Sequence, residues 1–312
     1  MEHTVVSLQL PVQESLEIKK NRITPLPGND RGKRICLVTG THGDELEGQY
    51  VLWELTRQLN AHRELLHGTV DLYPAMNPLG INSITRGVPL FDLDMNRIFP
   101  GREDGHMAEY AAMKAMEDMQ GADMVIDIHA SNIFLKELPQ VRVNELSAEA
   151  LVPLAQLLNV DFIWIHAAAT VLESTLAYSL NSTSTPCLVV EMGVGMRITK
   201  EYGDQLIAGI LNLMAHMGMW DGETQPPREP IVSHDDVAFI NASAAGIFLP
   251  SVAHNGMVQQ GQQLGVIADP MTGETKEEIT APSNGLLFTL REYPVVYPGS
   301  LLARILKGGS DE

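Results

Sequence analysis

The chain has 312 residues, enough for one large domain or two with a sizeable core, and 45% of them are hydrophobic. Net charge is −18, from 39 acidic and 21 basic residues, and no basic stretch exists to neutralise phosphates, which excludes nucleic acid as a partner. Two cysteines, Cys36 and Cys187, lie in apolar runs and read as buried free thiols of a reducing compartment.

The first residues carry no basic segment followed by an apolar core, so no signal peptide is expected. No window reaches the roughly 18 uninterrupted apolar residues that cross a bilayer. A soluble cytoplasmic protein without membrane contact is expected.

In chain order, residues 4–10, 16–24 and 34–39 read as strands, with a Pro/Gly-rich turn cluster over 25–32. The third strand runs into Gly40-Thr41-His42-Gly43-Asp44-Glu45, a glycine turn that lets His42 and Glu45 point at one spot. A His and a carboxylate at that spacing are half of a His₂Glu zinc site. The other half is offered by Met124-Val-Ile-Asp-Ile-His129, an apolar strand that also ends on a histidine. Two His and one Glu bind zinc while leaving a fourth position open, the pattern of a catalytic site with one ion per chain. Taken singly, each histidine could equally satisfy a local hydrogen bond.

Residues 47–61 carry Val51, Leu52, Leu55 and Leu59 at helical spacing. A strand follows over 69–74, then helices over 105–120 and 147–158 and a strand over 161–166. The strand over 187–192 and an amphipathic helix over 200–217 complete the pattern. Such alternation predicts an α/β fold with a mixed, mainly parallel sheet flanked by helices. Ligands of such sheets bind beyond the carboxyl ends of strands, where His42, Glu45, His129 and Glu191 all fall.

Residues 222–230 read as a linker, dividing a catalytic domain over 1–225 from a smaller all-β domain over 226–312. The tail contains a weak duplication: Gly256-Met-Val-Gln-Gln-Gly261 with Leu264 is echoed by Pro294-Val-Val-Tyr-Pro-Gly299 with Leu302. Paired short strands of this kind build a barrel or sandwich, and the pattern resembles the biotinyl/lipoyl carrier fold. Lys276, at the position of a carrier lysine, lacks the flanking residues of one, so the tail is read as a packing or lid element.

Glu191 sits at the end of an apolar strand, before Gly193. A buried carboxylate there must be paired, ligated or catalytic. Beside zinc it would act as general base on the attacking water and pass the proton to the leaving group; alone, it reads also as a salt-bridged or capping Glu. Asp127, two residues before His129 and on the same side of the strand, is placed to orient a ligand or to make a structural hydrogen bond. The loop Asp94-Met-Asn96-Arg97 offers a planar guanidinium fork suited to a carboxylate. Arg86, eleven residues earlier, is suited to polarise a scissile carbonyl and hold the developing oxyanion. Each arginine alone also reads as a surface ion-pairing residue.

With these blocks assembled, the chain resembles the succinylglutamate desuccinylase/aspartoacylase family of the zinc carboxypeptidase superfamily, closest to its broad group of predicted deacylases. The resemblance rests on Gly40-Thr-His-Gly-Asp-Glu45, Tyr73-Pro-Ala-Met-Asn77-Pro78, Asp94-Met-Asn96-Arg97-Ile-Phe-Pro-Gly101, Asp127-Ile-His129 and Val190-Glu191-Met-Gly193, over roughly residues 30–220. It implies zinc-dependent hydrolysis of the amide of a small N-acylated amino acid or similar carboxylate. It further implies His42, Glu45 and His129 as metal ligands, Glu191 as catalytic acid/base, Arg86 as carbonyl polariser, and Asn96 and Arg97 as the carboxylate clamp. One departure matters: aspartoacylase-type members carry a substrate-binding Arg shortly before the Pro that leads into the catalytic strand, and Leu180-Asn-Ser-Thr-Ser-Thr-Pro186 has none. A singly anionic substrate is therefore expected over a doubly anionic one.

Two other readings fit the same residues. One is a metallocarboxypeptidase acting on peptides, separable by comparing N-acetyl amino acids with dipeptides. The other is a non-catalytic metal-binding module, which the presence of all three ligand candidates and a catalytic acid disfavours. A small-molecule carboxylate is the expected partner, and a homo-oligomer is among the states the sequence allows.

Overall fold

The structure is a computed structural model that describes residues 1–91, 93–167, 173–234 and 236–307. The first two thirds hold β1 (Glu2–Gln9), β2 (Ser15–Ile23), β3 (Lys33–Thr39), α1 (Glu47–Ala61), β4 (Gly68–Tyr73), the short α2 (Pro78–Ser83), α3 (Met107–Met119) and β5 (Met124–Ala130). They continue with β6 (Leu135–Asn144), α4 (Ala148–Ala155), β7 (Phe162–His166), α5 (Leu176–Ser182), β8 (Cys187–Gly193) and α6 (Lys200–His216). The remainder is β9 (Ile231–His234), β10 (Val237–Asn241), β11 (Gly246–Pro250), β12 (Met257–Val258), β13 (Gln263–Ala268), β14 (Thr275–Thr280), β15 (Gly285–Arg291), β16 (Val295–Val296) and β17 (Leu301–Lys307).

The large sheet runs in the order β1-β2-β4-β3-β5-β8-β6-β15-β17-β10, with β7 and β9 attached beside β6. Its middle strands β4, β3, β5 and β8 are parallel, and β7 pairs parallel with both β6 and β9, while β1 with β2, β2 with β4, β8 with β6, β6 with β15, β15 with β17 and β17 with β10 pair antiparallel. A parallel strand covered on both faces must be apolar almost throughout, and β3 and β5 are buried along nearly their whole length. Side chains alternate between two cores. Ile35, Leu37, Ile126, Ile128, Leu188 and Val190 pack under α1, α4 and α6. Cys36, Val38, Val125 and Cys187 face the opposite core, which α3 fills with Ala108, Ala111, Ala112 and Ala115. Both cysteines are buried and free.

Helix α1 spans the residues its periodicity predicts and buries Val51, Leu52, Leu55 and Leu59. Strand β6 and helix α5 were not anticipated from the sequence. Pro139 sits inside β6, and proline cannot donate to a ladder, so an interior strand is not read there. The fold accommodates it with a β-bulge: β6 pairs Glu137 with Gly193 and Gln140 with Glu191, one extra residue on the β6 side.

A second sheet, β14-β13-β11-β16, closes around Phe248, Leu264, Ile267 and Ile279. The C-terminal chain also re-enters the large sheet, because β15 pairs with β6. Lys276 lies on β14 and is ion-paired with Asp269 at 2.9 Å. Among the described residues, no helix is long and apolar enough to cross a membrane.

Candidate active site

The turn after β3 is braced from below. A Cβ on Gly43 would lie 2.0 Å from the Gly80 carbonyl carbon, so only glycine fits where this turn meets α2. Asn77 fixes the same contact from the other side: its Oδ1 accepts from Gly80 N at 2.9 Å and its Nδ2 donates to Gly87 O at 3.0 Å. Gly43 N donates to Arg86 O at 3.2 Å. The turn carrying His42 and Glu45 and the loop carrying Arg86 are thus one unit.

His42, Glu45 and His129 converge, all buried, with one donor atom of each lying within 4.8 Å of the others. Glu45 Oε1 is 2.7 Å from His42 Nδ1, and Glu45 Oε2 is 2.9 Å from His129 Nδ1. Ala130 N also donates to Oε2, at 3.1 Å. The two Nδ1 atoms stand 3.3 Å apart, each beside one oxygen of Glu45, so the three side chains face a common point. Each Nε2 faces a carboxylate: His42 meets Asp94 Oδ1 at 3.0 Å, and His129 lies 3.0 Å from Asp127 Oδ2, off the hydrogen-bond direction. Two imidazoles and a carboxylate, desolvated, convergent and backed by acids on the far ring nitrogens, are the donor set and surroundings that suit zinc.

The charges respond accordingly. Burial alone would lower His42, but Glu45 and Asp94 hold it above its ordinary value. Burial likewise opposes the charged form of His129, and Asp127 and Glu45 overcome it. Glu45, pushed up by burial, is pulled well below the carboxylate range by His42 and His129. Asp94 is similarly pushed up by burial and drawn down by His42 and Arg86.

Glu191 reaches the same place from the neighbouring strand. In β8 it stands opposite His129 on β5 and opposite Gln140 on β6. Its Oε1 is 3.2 Å from Arg142 Nη1. Burial raises Glu191, Arg142 and His129 pull against it, and the carboxyl stays above its usual value. His42, His129, Glu191, Arg86, Asn96 and Arg97 all line one cavity of about 410 Å³.

The three remaining candidates sit at its edge with different commitments. Arg86 donates to Glu45 Oε1 at 2.8 Å and to Asp94 Oδ2 at 3.2 Å. Asn96 accepts from Leu176 N at 2.9 Å through Oδ1, and its Nδ2 lies 3.5 Å from His129 Nε2. Arg97 is exposed, donates to the Asn96 carbonyl at 2.7 Å, and has no carboxylate within ion-pair distance among the described residues.

Sequence reasoning missed Arg142, Asn144 and Tyr178, which line the cavity from β6 and α5. Asn144 Oδ1 caps Leu146 N at 2.9 Å, while its buried Nδ2 has no partner among the described residues. The alternation Val141-Arg142-Val143-Asn144 was the available signal, masked by Pro139 two residues before it.

Residues 31–217 match the family model described as the succinylglutamate desuccinylase/aspartoacylase catalytic domain. The N-alpha-acetyl-L-2,4-diaminobutyric acid deacetylase of Halomonas elongata is 28% identical over 294 residues, covering 88% of this chain and 82% of that protein. The product-bound ectoine utilization protein EutE (DoeB) from Ruegeria pomeroyi has the same fold, with a TM-score of 0.81 at 22% identity over 97% of this chain and 93% of its own. A succinylglutamate desuccinylase from Silicibacter sp. TM1040 gives a TM-score of 0.82 at 23% identity, over 97% and 94% of the two chains.

Proposed function

The chain belongs to the succinylglutamate desuccinylase/aspartoacylase family, and from that membership we propose that it is a zinc-dependent deacylase hydrolysing the amide of a small N-acylated amino acid or related carboxylate. The observation that carries the reading is the convergence of His42, Glu45 and His129 beside Glu191, at the carboxyl ends of adjacent strands and on one cavity. The relative from Halomonas elongata is named for deacetylating an N-acetylated diamino acid, which supports the same class of bond.

His42, Glu45 and His129 would hold the zinc. When bound, zinc supplies a Lewis acid that polarises the carbonyl and makes water a better nucleophile. Glu191 takes the proton from the attacking water and returns it to the amine nitrogen as the C–N bond breaks; a carboxyl raised by burial is suited to both halves of that exchange. Arg86, steadied by Glu45 and Asp94, meets the carbonyl oxygen as charge develops there. Arg97 binds the substrate carboxylate with its planar fork and Asn96 Nδ2 is the added donor beside it, while Asn96 Oδ1 ties that loop to α5.

Apart from the arginines, Glu191 and the metal-ligand candidates, the described wall carries one imidazole, His166, and otherwise amide, hydroxyl and apolar groups. Asn144, Ser147, Tyr178, Asn181 and Ser182 line it, and the segment before Pro186 brings no arginine. One substrate carboxylate, not two, is matched by the residues present. We assign residues 1–225 to the hydrolase unit and 226–312 to a β-rich unit that narrows access to small substrates.

The test has two arms. Purified protein should contain one divalent metal per chain, lost on His42→Ala or His129→Ala. A panel of N-acyl amino and diamino acids with zinc should be turned over in preference to dipeptides. Full metal retention in both alanine variants would remove the ligand assignment, and preferred cleavage of dipeptides would make the protein a carboxypeptidase.

A further inference from the structure

Among the described residues Glu191 is ion-paired with Arg142, and that arginine is itself tied down. Arg142 Nη1 is 3.2 Å from Glu191, while Arg142 Nη2 donates to Glu137 Oε2 at 3.0 Å. Glu137 is 1% exposed, so its charge must be matched on the spot. It also accepts from Gln140 Nε2 at 3.0 Å, from Thr289 Oγ1 at 3.4 Å and from Arg304 Nη1.

Sheet register explains how these residues meet. The bulge at Leu138–Pro139 adds one residue between Glu137 and Gln140, which puts Glu137 on the same face as Gln140 and Arg142. Without the bulge, Glu137 would face the opposite side of the sheet. Across the strands, Glu137 on β6 pairs with Thr289 on β15, and Thr289 pairs with Arg304 on β17. Both guanidinium groups lie over the Trp164 ring, Arg142 at 5.7 Å and Arg304 at 5.9 Å from its centre. The charges alternate along the row: Glu191, Arg142, Glu137, Arg304.

We propose that Glu137 and Arg304 are positioning residues for the hydrolytic step, holding Arg142 so that its Nη1 fixes the orientation of the Glu191 carboxylate at the cavity. The last strand of the chain thereby sets the geometry of a base carried about 110 residues earlier. Glu137 also competes with Glu191 for Arg142. Its presence limits the arginine to one contact with Glu191 and leaves that carboxylate free to exchange a proton. The inference rests on Glu191 being the base, as proposed above.

The experiment is a double-mutant cycle on the zinc-loaded full chain, with crystal structures of the variants. Glu137→Gln should lower kcat by about tenfold or more, a share of the ~10²–10⁴-fold a base supplies, with KM and metal content within about twofold of wild type. In an Arg142→Met background the same substitution should change kcat less than about twofold, because Glu137 acts through Arg142. Arg304→Met lies on another strand and keeps an apolar stem beside Trp164. It should lower kcat in the same direction by less, which keeps the test open if Glu137→Gln folds poorly. The Glu137→Gln crystal structure should show the Arg142–Glu191 contact displaced.

Equal losses in both backgrounds, or a rise in KM with kcat unchanged, would overturn the proposal. So would an unmoved Arg142–Glu191 contact. The underlying assignment is tested separately: a Glu191→Gln variant with full activity would remove the base itself. Loss in Glu191→Gln without loss in Glu137→Gln or Arg304→Met would remove only the positioning role.

Discussion

Replacing Glu191 with glutamine removes a charge and a proton carrier while keeping shape. The side chain is 15% exposed, and among the described residues its one ion-pair contact is Arg142 at 3.2 Å. Arg142 keeps Glu137 at 3.0 Å, so no buried charge is left wholly unpaired. A charge-assisted hydrogen bond contributes about 1.5–3 kcal/mol. With Glu137 still in place the loss of stability should lie at or below the lower end, a fall in Tm of a few degrees. The kinetic loss should be far larger. A general base supplies about 10²–10⁴-fold, which at about 1.4 kcal/mol per decade is roughly 3–5 kcal/mol of barrier. The assay is kcat and KM on the best N-acyl amino acid, with metal content and calorimetric affinity for a non-hydrolysable analogue measured on the same sample. Glu191→Gln should hold its metal, bind the analogue normally and turn over at 1% of wild type or less. Activity within a factor of a few of wild type, with metal bound, would refute the role.

Arg97→Lys should penalise a free carboxylate substrate by roughly tenfold to a hundredfold in kcat/KM, and its amide counterpart much less, because lysine lacks the planar fork. Equal penalties on the two would reduce Arg97 to a loop-holding residue. Gly43→Ala, whose new methyl would sit 2.0 Å from backbone, should destabilise by about 1–3 kcal/mol or more and lower metal content. Gly256→Ala, with its nearest neighbour 3.9 Å away, should be neutral in the same melting experiment. His254 is half-buried, and desolvation lowers its pKa: Tyr202 Oη lies 3.3 Å from its Nδ1 and its Nε2 donates to Phe288 O, while Lys136, Glu292 and Glu137 supply the nearby charge. Its depressed pKa means stability present above pH ~6.5 and lost as pH falls through the folded value. Melting curves between pH 5 and 7.5 should show that slope in wild type and a flatter one in His254→Gln; parallel slopes would place the acid sensitivity elsewhere.

What the sequence made legible was local. β3, β5 and β8 are short apolar runs buried on both faces, and α1 repeats Val51, Leu52, Leu55 and Leu59 on its buried side, so composition and period alone locate them. His42, Glu45, His129 and Glu191 stand at the ends of those runs, where a strand-end residue of a parallel sheet meets the ligand crevice. What stayed hidden was made by pairing between distant strands. Glu137, Arg142 and Arg304 have no motif; they meet because a bulge re-aims Glu137 and because β15 joins β6, neither of which leaves a mark in the linear order. Helix α5 escaped for a different reason. Its Ser, Thr and Asn residues compete for backbone hydrogen bonds and read as a loop, yet Thr175 caps it and Leu176 and Leu180 bury it.

An excess of 18 negative charges sets a repulsive background for any anionic substrate, and the cavity answers it at short range. Among its described lining residues are Arg86, Arg97 and Arg142, with Glu191 the one carboxylate. The background is screened over about 8 Å at physiological ionic strength, whereas a direct guanidinium contact acts at about 3 Å in a partly desolvated site. The local contact wins, but only where an arginine is uncommitted. Arg86 is held by Glu45 and Asp94, and Arg142 by Glu137 and Glu191. Among the described cavity residues, that leaves Arg97 to meet a carboxylate. A second carboxylate on the substrate would face Asn144, Tyr178 and Asn181, would find no further guanidinium or ammonium group among the described lining residues to offset its desolvation, and would add to the repulsion from Glu191. The single carboxylate proposed for the substrate thus rests on which guanidinium groups are already spent, as much as on the arginine missing before Pro186.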